Sequence, residues 1–545
     1  MAVRIMQEFA QDLKKEFRGY GREKYVKDLM AGLTVAAVAL PLALAFGVGS
    51  GADAAAGLVT AILAGLIIGG LSGASFQISG PTGAMVAILL EISARHGLQG
   101  VLTAGFLSGV LLLAAAAFRF GKLVSYIPSH VITGFTSGIA VLLAMGQIDN
   151  FFGTVSEGES YIQKLLSYRE LGFSPNLHAV GISLLVIVLM AAWPKKWRER
   201  FPASLAGIIV ALGINWIFQL PVATVGDIPR TLLLTNRLTL GALTLDNIRQ
   251  LTVPAISIAA LCMIESLLCG ATGGKMKNEK LNADRELVAQ GIGNIIIPFF
   301  GGVPATAAIA RTSVAIKSGG QTRLTSILHA VGLLLSMFAL GPVMSRIPLS
   351  ALAGVLMVTA WKMNEWHGIR YMLRNRFKTA ILQFGVTMVC TVVFDLTVAV
   401  AVGVVLSIFM FLLQNSELGI EITDVDVHRL KGHTIRTDHT YTKLVYLTGP
   451  IFFGTQDKLI SDLESIRDAE TVIISARAVT HIDVSAMTAF AEIITQYLQD
   501  EVKVLFCGIQ PKVKRMFDRG GLTAMIGEEC FFWDAVAAIK SLEEE

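Results

Sequence analysis

Two isolated charges stand out in this sequence. Glu265 lies in an otherwise uncharged apolar stretch, 256–270, and Arg311 sits in a second one. Ionisable side chains inside such stretches are costly, so they mark ion or substrate pathways by default. Arg311 follows the run Gly301-Gly302-Val303-Pro304-Ala305-Thr306-Ala307-Ala308-Ile309-Ala310. Two glycines and a proline keep the start of this run from being a regular helix, and the residues after it suit one. A helix that begins inside an apolar layer presents unpaired N–H groups and the positive end of its dipole, which suits an anion. Glu265 and Arg311 are expected to form an ion pair, since two partnered charges tolerate burial where one does not. A carboxyl group held out of water can also load and release a proton. The competing reading is a static bridge between elements.

Other residues can contribute to such a site. Ser79 and Thr82, in Ser79-Gly80-Pro81-Thr82-Gly83, and Thr306 are hydroxyls at the starts of two half-helices. They can cap those helices or share an anion with the spare N–H groups. Pro41 is expected to kink or end part of the first apolar block, and Phe46 is either a core aromatic or a lining residue. His329 reads as packing, and Glu91, Asp149 and Asp395 as interfacial. The five cysteines, Cys262, Cys269, Cys390, Cys507 and Cys530, show no paired spacing. No metal cluster and no nucleophile–base pair is evident, so no cofactor and no enzymatic activity are expected. The formal charge of +4 carries no sign of nucleic acid as a partner.

The elements that must hold these residues are membrane spans. Of the 545 residues, 53% are hydrophobic and 16% charged, against roughly 25% charged in soluble domains. Apolar blocks fall at about 29–48, 52–72, 79–92, 99–118, 124–146, 176–193 and 202–220. They resume at about 250–272, 285–299, 306–316, 322–342, 346–361, 376–393 and 395–414. This predicts fourteen spans in two sets of seven, about 29–220 and 250–414. The Gly-Pro break follows the start of each set by about 50 residues. An odd number of spans per set makes the second an inverted copy of the first, with the matched broken helices at the site. Basic residues collect in 1–28 (Lys14, Lys15, Arg18, Arg22, Lys24, Lys27) and after even-numbered blocks: Arg119 and Lys122; Lys195, Lys196, Arg198 and Arg200; Lys275, Lys277 and Lys280; Lys317 and Arg323; Lys362, Arg370, Arg374, Arg376 and Lys378. The positive-inside rule then places both termini in the cytoplasm and loops 147–175 and 221–249 outside. The charged N-terminal segment lacks the apolar core of a signal peptide. After about residue 414 charge returns to soluble density. A linker (415–439) and a small α/β domain (440–542) are expected, with strands near 444–447, 471–475 and 502–507 and helices near 455–467, 485–498 and 511–519. Asp483 and Ser485 fall at a helix start, where capping is the simplest role.

The sequence resembles the sulfate permease (SulP) family of anion transporters with a C-terminal STAS domain. The resemblance rests on Ser79-Gly80-Pro81-Thr82, Glu265-Ser266-Leu267-Leu268, Glu286-Leu287-Val288-Ala289-Gln290-Gly291-Ile292-Gly293-Asn294 and 301–320. It implies a polytopic α-helical membrane protein of fourteen transmembrane segments, as 7+7 inverted repeats divided into core and gate domains, with a small cytoplasmic α/β STAS domain. It further implies a homodimer, associating through the membrane and STAS domains, that moves in an elevator-like way in a bacterial inner membrane. The family's anion site lies between the third and tenth spans with contributions from the first and eighth. On this chain that gives Pro41, Leu42 and Phe46; Ser79, Gly80, Pro81 and Thr82; Glu265; and Thr306, Ala308, Ile309, Ala310 and Arg311. Sodium-coupled bicarbonate members carry aspartate at the position of Glu265, threonine at that of Cys269 and no arginine at that of Arg311. Proton-coupled sulfate or dicarboxylate members keep the glutamate and arginine, and 304–311 looks most like a bacterial dicarboxylate-type member. The implied function is proton-coupled symport of a small anion (dicarboxylate, sulfate or bicarbonate), with Glu265 carrying the proton. Anion exchange and sodium symport are the alternatives within transport. A membrane anion sensor signalling through its STAS domain to a cytoplasmic partner is the alternative of another class. Asp483-Val484-Ser485 keeps the pattern that, in STAS proteins antagonising anti-sigma factors, carries a phosphorylated serine.

Overall fold

The computed structural model describes residues 2–122, 127–158, 161–194, 201–394, 396–416, 418–425 and 441–542. The start of the block at 124, the basic run Lys195, Lys196, Arg198 and Arg200, Asp395 and linker residues 426–439 lie outside the described residues. The chain folds as two compact units, Met1–Val404 and Val405–Glu545.

The first unit opens with an amphipathic helix, α1 (Ala2–Glu16). Then α2 (Arg22–Gly49) continues through Pro41. The expected end at Pro41 does not occur, because neighbouring helices and local adjustment can satisfy the carbonyl that a proline frees inside a membrane helix. α3 (Ala54–Leu63) packs on α2 through facing glycines: a Cβ on Gly57 would lie 2.0 Å from the carbonyl oxygen of Ala43. α3 continues through a π turn, Ala64–Ile68. A two-residue strand, β1 (Ser79–Gly80), precedes α4 (Gly83–Ala117), which breaks at Gly97 where φ is 66°. That break separates the blocks expected at 79–92 and 99–118. α5 (Ser129–Met145), α6 (Leu177–Ala192) and α7 (Ala203–Phe218) follow. Loop 147–175 contains short helices of its own, Ile148–Phe152 and Tyr161–Leu171.

The chain continues into further helices after loop 221–249. α8 (Leu245–Lys277) carries Glu265, and α9 (Ala283–Ile296) leads to β2 (Thr306–Ala307) and the short α10 (Ile309–Lys317). Next come α11 (Leu324–Met344), α12 (Leu349–Met363), α13 (Trp366–Arg374), α14 (Lys378–Val393) and α15 (Leu396–Asn415). Six helices are long and apolar enough to cross a membrane: Arg22–Gly49, Ala54–Leu71, Gly83–Ala117, Ser129–Phe152, Leu245–Lys277 and Leu324–Met344. Five shorter apolar helices accompany them among the described residues. α8 and α9 pack on α4, α11 on α2, and α14 on α5.

α1 is tied to this unit by charge. Asp12 pairs with Arg285 at 2.5 Å and Glu16 with the buried Arg323 at 2.9 Å, and both guanidiniums lie over the ring of Phe9. Arg323 is therefore not a free loop charge.

The second unit is a five-stranded sheet in the order β3 (Gly419–Asp424), β4 (Thr442–Thr448), β5 (Thr471–Ala478), β6 (Lys503–Cys507), β7 (Phe531–Phe532). β3 and β4 are antiparallel and the remaining pairs are parallel. Helices α16 (Gln456–Glu464), α17 (Val484–Gln499), α18 (Pro511–Arg519) and α19 (Ala535–Ser541) alternate with the strands. β3 arises from residues expected in the linker, and β7 had no counterpart in the sequence reading. The largely aliphatic core contains four fully buried rings, Phe490, Tyr497, Phe506 and Phe517.

Candidate functional site

The site is built where the two broken helices meet. β1 and β2 pair antiparallel, with Ser79 opposite Ala307 and Gly80 opposite Thr306. The Ala308 N–H donates to the Ile78 carbonyl (2.9 Å), and the Thr312 hydroxyl accepts from the Ile78 N–H (3.0 Å). Each strand runs within three residues into a helix, so the N-termini of α4 and α10 converge on one place. Neither helix has a side-chain cap. Spare N–H groups and two positive dipole ends therefore gather there.

The three hydroxyls expected to cap do other things. Ser79 accepts from Gln290 Nε2 (3.1 Å). Thr306 exchanges a hydrogen bond with Ser266 (2.9 Å) and donates to the Cys262 carbonyl (3.3 Å). Thr82 holds the cap position of α4 but donates to Glu265 Oε2 at 2.9 Å. Ser79 and Thr306 are thus consumed by the scaffold, while Thr82 links the carboxylate to a helix start.

Arg311 is almost wholly buried (1% exposed). Its Nη2 donates to the Pro81 carbonyl at 2.7 Å, and its Nη1 is buried with no hydrogen-bond partner. A Cβ on Gly80 would stand 2.5 Å from Nη1, so the guanidinium occupies the space that only glycine leaves. The expected ion pair is absent: among the described residues Glu265 and Arg311 make no salt bridge. Each instead bonds to a residue of the 81–82 turn, Glu265 to the Thr82 hydroxyl and Arg311 to the Pro81 carbonyl. Ile309 and Ala310 are exposed, and Ala308 is half-buried. Phe46 is buried; a Cβ on Gly83 would lie 3.3 Å from its ring, so it borders the start of α4. Pro41 is buried and Leu42 half-buried one to two turns earlier in α2.

The run Glu286 to Asn294, which carries part of the family resemblance, supplies positioning residues that are not among the expected site residues. Glu286, Gln290 and Asn294 lie four apart on α9, all fully buried. Glu286 accepts from the Ser72 hydroxyl (2.6 Å), the Gly73 N–H (2.9 Å) and Gln290 (2.8 Å). Gln290 reaches Ser79, and Asn294 holds both the N–H (2.8 Å) and the carbonyl (2.9 Å) of Ala305. One helix face thus fixes the approach to both broken helices. The spacing of four in Glu286…Gln290…Asn294 was the available signal. Cys262 and Cys269 are buried thiols on the same side of α8. Their weak S–H groups reach the Ala305 carbonyl (3.4 Å) and Thr312 (3.2 Å) respectively. His329 is buried with neither ring nitrogen bonded. In the second unit Asp483 caps α17 by accepting from the Ala486 N–H (2.8 Å), and Ser485 is exposed in the first turn.

Comparisons with known proteins bear on the family and the fold. Residues 25–386 match the Sulfate permease family and residues 434–538 the STAS domain. The chain is 34% identical over 529 residues to the putative sulfate transporter YvdB of Bacillus subtilis, covering 95% of this chain and 97% of that one. It is 27% identical over 510 residues to the bicarbonate transporter BicA of a Picosynechococcus species, covering 90% of each. Among solved structures, the transmembrane domain of a cyanobacterial bicarbonate transporter BicA superimposes with a TM-score of 0.64 at 27% identity, over 72% of this chain and 98% of that one. The murine Solute Carrier 26 family member A9 anion transporter, in its inward-facing state, gives 0.82 at 17% identity over 95% and 92%, a likeness of fold.

Proposed function

This chain belongs to the sulfate permease family, whose members are secondary transporters of small anions, and we propose that it carries a small oxyanion together with a proton. It is a multi-pass membrane transport protein of elevator-like fold and not an enzyme. The observation that carries the proposal is the unpartnered Nη1 of Arg311, buried between two uncapped helix N-termini. These supply fixed positive potential without a mobile cation, which favours an anion and opposes sodium at the same place. Glu265 is half-buried, and among the described residues its carboxylate accepts from the Thr82 hydroxyl alone. Without an arginine salt bridge to keep it ionised, it is free to take the proton.

The relatives described above are named for sulfate and bicarbonate, which favours one of these over the dicarboxylate suggested by 304–311. The small and apolar lining, from Pro41, Pro81, Ala308 and Ala310, leaves room for a compact oxyanion. The rest of the reading follows the family: fourteen spans as 7+7 inverted repeats, a homodimer through membrane and STAS domains, and a bacterial inner membrane with both termini cytoplasmic. At Asp483-Val484-Ser485 helix capping is the first reading, and phosphorylation of Ser485, as in STAS proteins that antagonise anti-sigma factors, is the second. The test is uptake of labelled sulfate and of bicarbonate into proteoliposomes with an imposed inward proton gradient. Stimulation by the gradient is expected. Uptake that ignores the gradient and requires an internal counter-anion sinks symport in favour of exchange; saturable binding with no accumulation favours a sensor.

A further inference from the structure

The segment joining α12 to α14 plays no part in the anion site, yet its surface is unusual. The inner face of α13 is Ile369 and Met372, buried with Ala380 and packed by Trp366, Ile381 and Phe384. Its outer face exposes Arg370, Tyr371, Leu373 and Arg374, and the turn that follows exposes Arg376, Phe377 and Lys378. Trp361, at the end of α12, is 66% exposed and lies 4.5 Å, ring centroid to centroid, from Trp366, whose indole N–H donates to the Trp361 carbonyl.

Residues 361–378 hold five lysines and arginines (Lys362, Arg370, Arg374, Arg376, Lys378) and a single acid, Glu365, which accepts from the Thr133 hydroxyl at 2.9 Å. Among the described residues Arg370, Arg374, Arg376 and Lys378 have no ion-pair partner. Arg376 adopts a φ of 53°, the left-handed conformation that glycine takes most readily and other side chains resist. It stands just past the C-terminus of α13, where basic side chains complement the helix dipole, and its side chain is exposed.

We propose that α13 and the turn after it form a binding surface for anionic phospholipid headgroups. Both neighbouring helices, α12 and α14, are apolar, which puts the segment where membrane meets water. Tryptophans favour that level, and an amphipathic helix with basic residues beside exposed aromatic and leucine side chains lies in its plane. A site for a soluble anion has no use for Tyr371, Leu373 and Phe377 turned outward. The inference is independent of the substrate and of the coupling ion.

The test uses the full chain in phosphatidylcholine nanodiscs containing brominated lipid. The signal is the fluorescence lost on going from the parent to W361F/W366F. Brominated phosphatidylglycerol is expected to quench this signal more strongly than brominated phosphatidylcholine at equal content. The preference should weaken in high salt and fall about five-fold per removed charge, vanishing in R370Q/R374Q/R376Q/K378Q. The lysine variant R370K/R374K/R376K should restore it, which separates charge from loss of fold. Equal quenching by the two lipids, or a preference that survives the glutamine substitutions, overturns the proposal. Displacement by soluble glycerol phosphate at matched ionic strength also overturns it, in favour of a soluble anion.

Discussion

At the residue scale the arrangement turns on two polar groups that the scaffold leaves underused, Arg311 Nη1 and the Glu265 carboxylate. Gly80 is the sensitive neighbour. In Gly80→Ala the new methyl would meet Nη1 at 2.5 Å, and a buried guanidinium held to Pro81 has little room to retreat. Sulfate affinity should fall by at least about ten-fold, or ~1.4 kcal/mol, in calorimetric titration of the purified variant. Unchanged affinity sinks the assignment of Nη1 to the anion. Glu265→Gln keeps the hydrogen bond from Thr82 but removes the titratable group. Gradient-driven uptake should be lost while counter-anion exchange and binding are partly retained. A parent-like response to pH in this variant removes Glu265 from the proton path.

At the element scale the decisive construction is the crossing of two strands of two residues each, braced by α9. Asn294→Ala orphans the buried N–H of Ala305 and leaves its carbonyl only the weak Cys262 S–H. An orphaned buried group costs roughly 1–3 kcal/mol, so the melting temperature should drop. Amide exchange should quicken at Ala305 to Ala308 ahead of the other helices; an unaltered exchange pattern there refutes the bracing role. Much of this was legible beforehand. Glu265, Arg311 and both Gly-Pro breaks were visible because charge and glycine are rare punctuation in an apolar sequence. The pairing of β1 with β2 was not, since two residues have no alternation to read. The Glu265–Arg311 ion pair was misjudged for a related reason. Isolation in sequence shows that a charge needs company, but the direction of each side chain depends on how α8 and α10 cross. Pro41 does not end α2, because a proline inside a membrane-embedded bundle need not end its helix. β3 (Gly419-Ile420-Glu421-Ile422-Thr423-Asp424) has only two apolar positions, Ile420 and Ile422, in a charge-bearing stretch that reads as a linker.

At the scale of the whole molecule the open matter is which way the chain faces. Blocks of basic residues follow the even-numbered apolar segments, and only the inside orientation puts them in the cytoplasm. Two exposed positions report on opposite sides. Leu240, 77% exposed, lies in loop 221–249, and Lys317, also exposed, ends α10. Cysteines placed there singly, after replacing Cys262, Cys269, Cys390, Cys507 and Cys530 by serine, can be probed in intact cells with a maleimide that does not cross membranes. Cys262 and Cys269 are buried beside the site, so retained sulfate uptake must be checked first in the serine background. Leu240→Cys should label in intact cells, and Lys317→Cys only after permeabilisation. The reverse pattern inverts the molecule and moves the basic face of α13 outside. Labelling of both in intact cells would mean that the two loops share one side, and the division into two sets of opposite direction would fall with it.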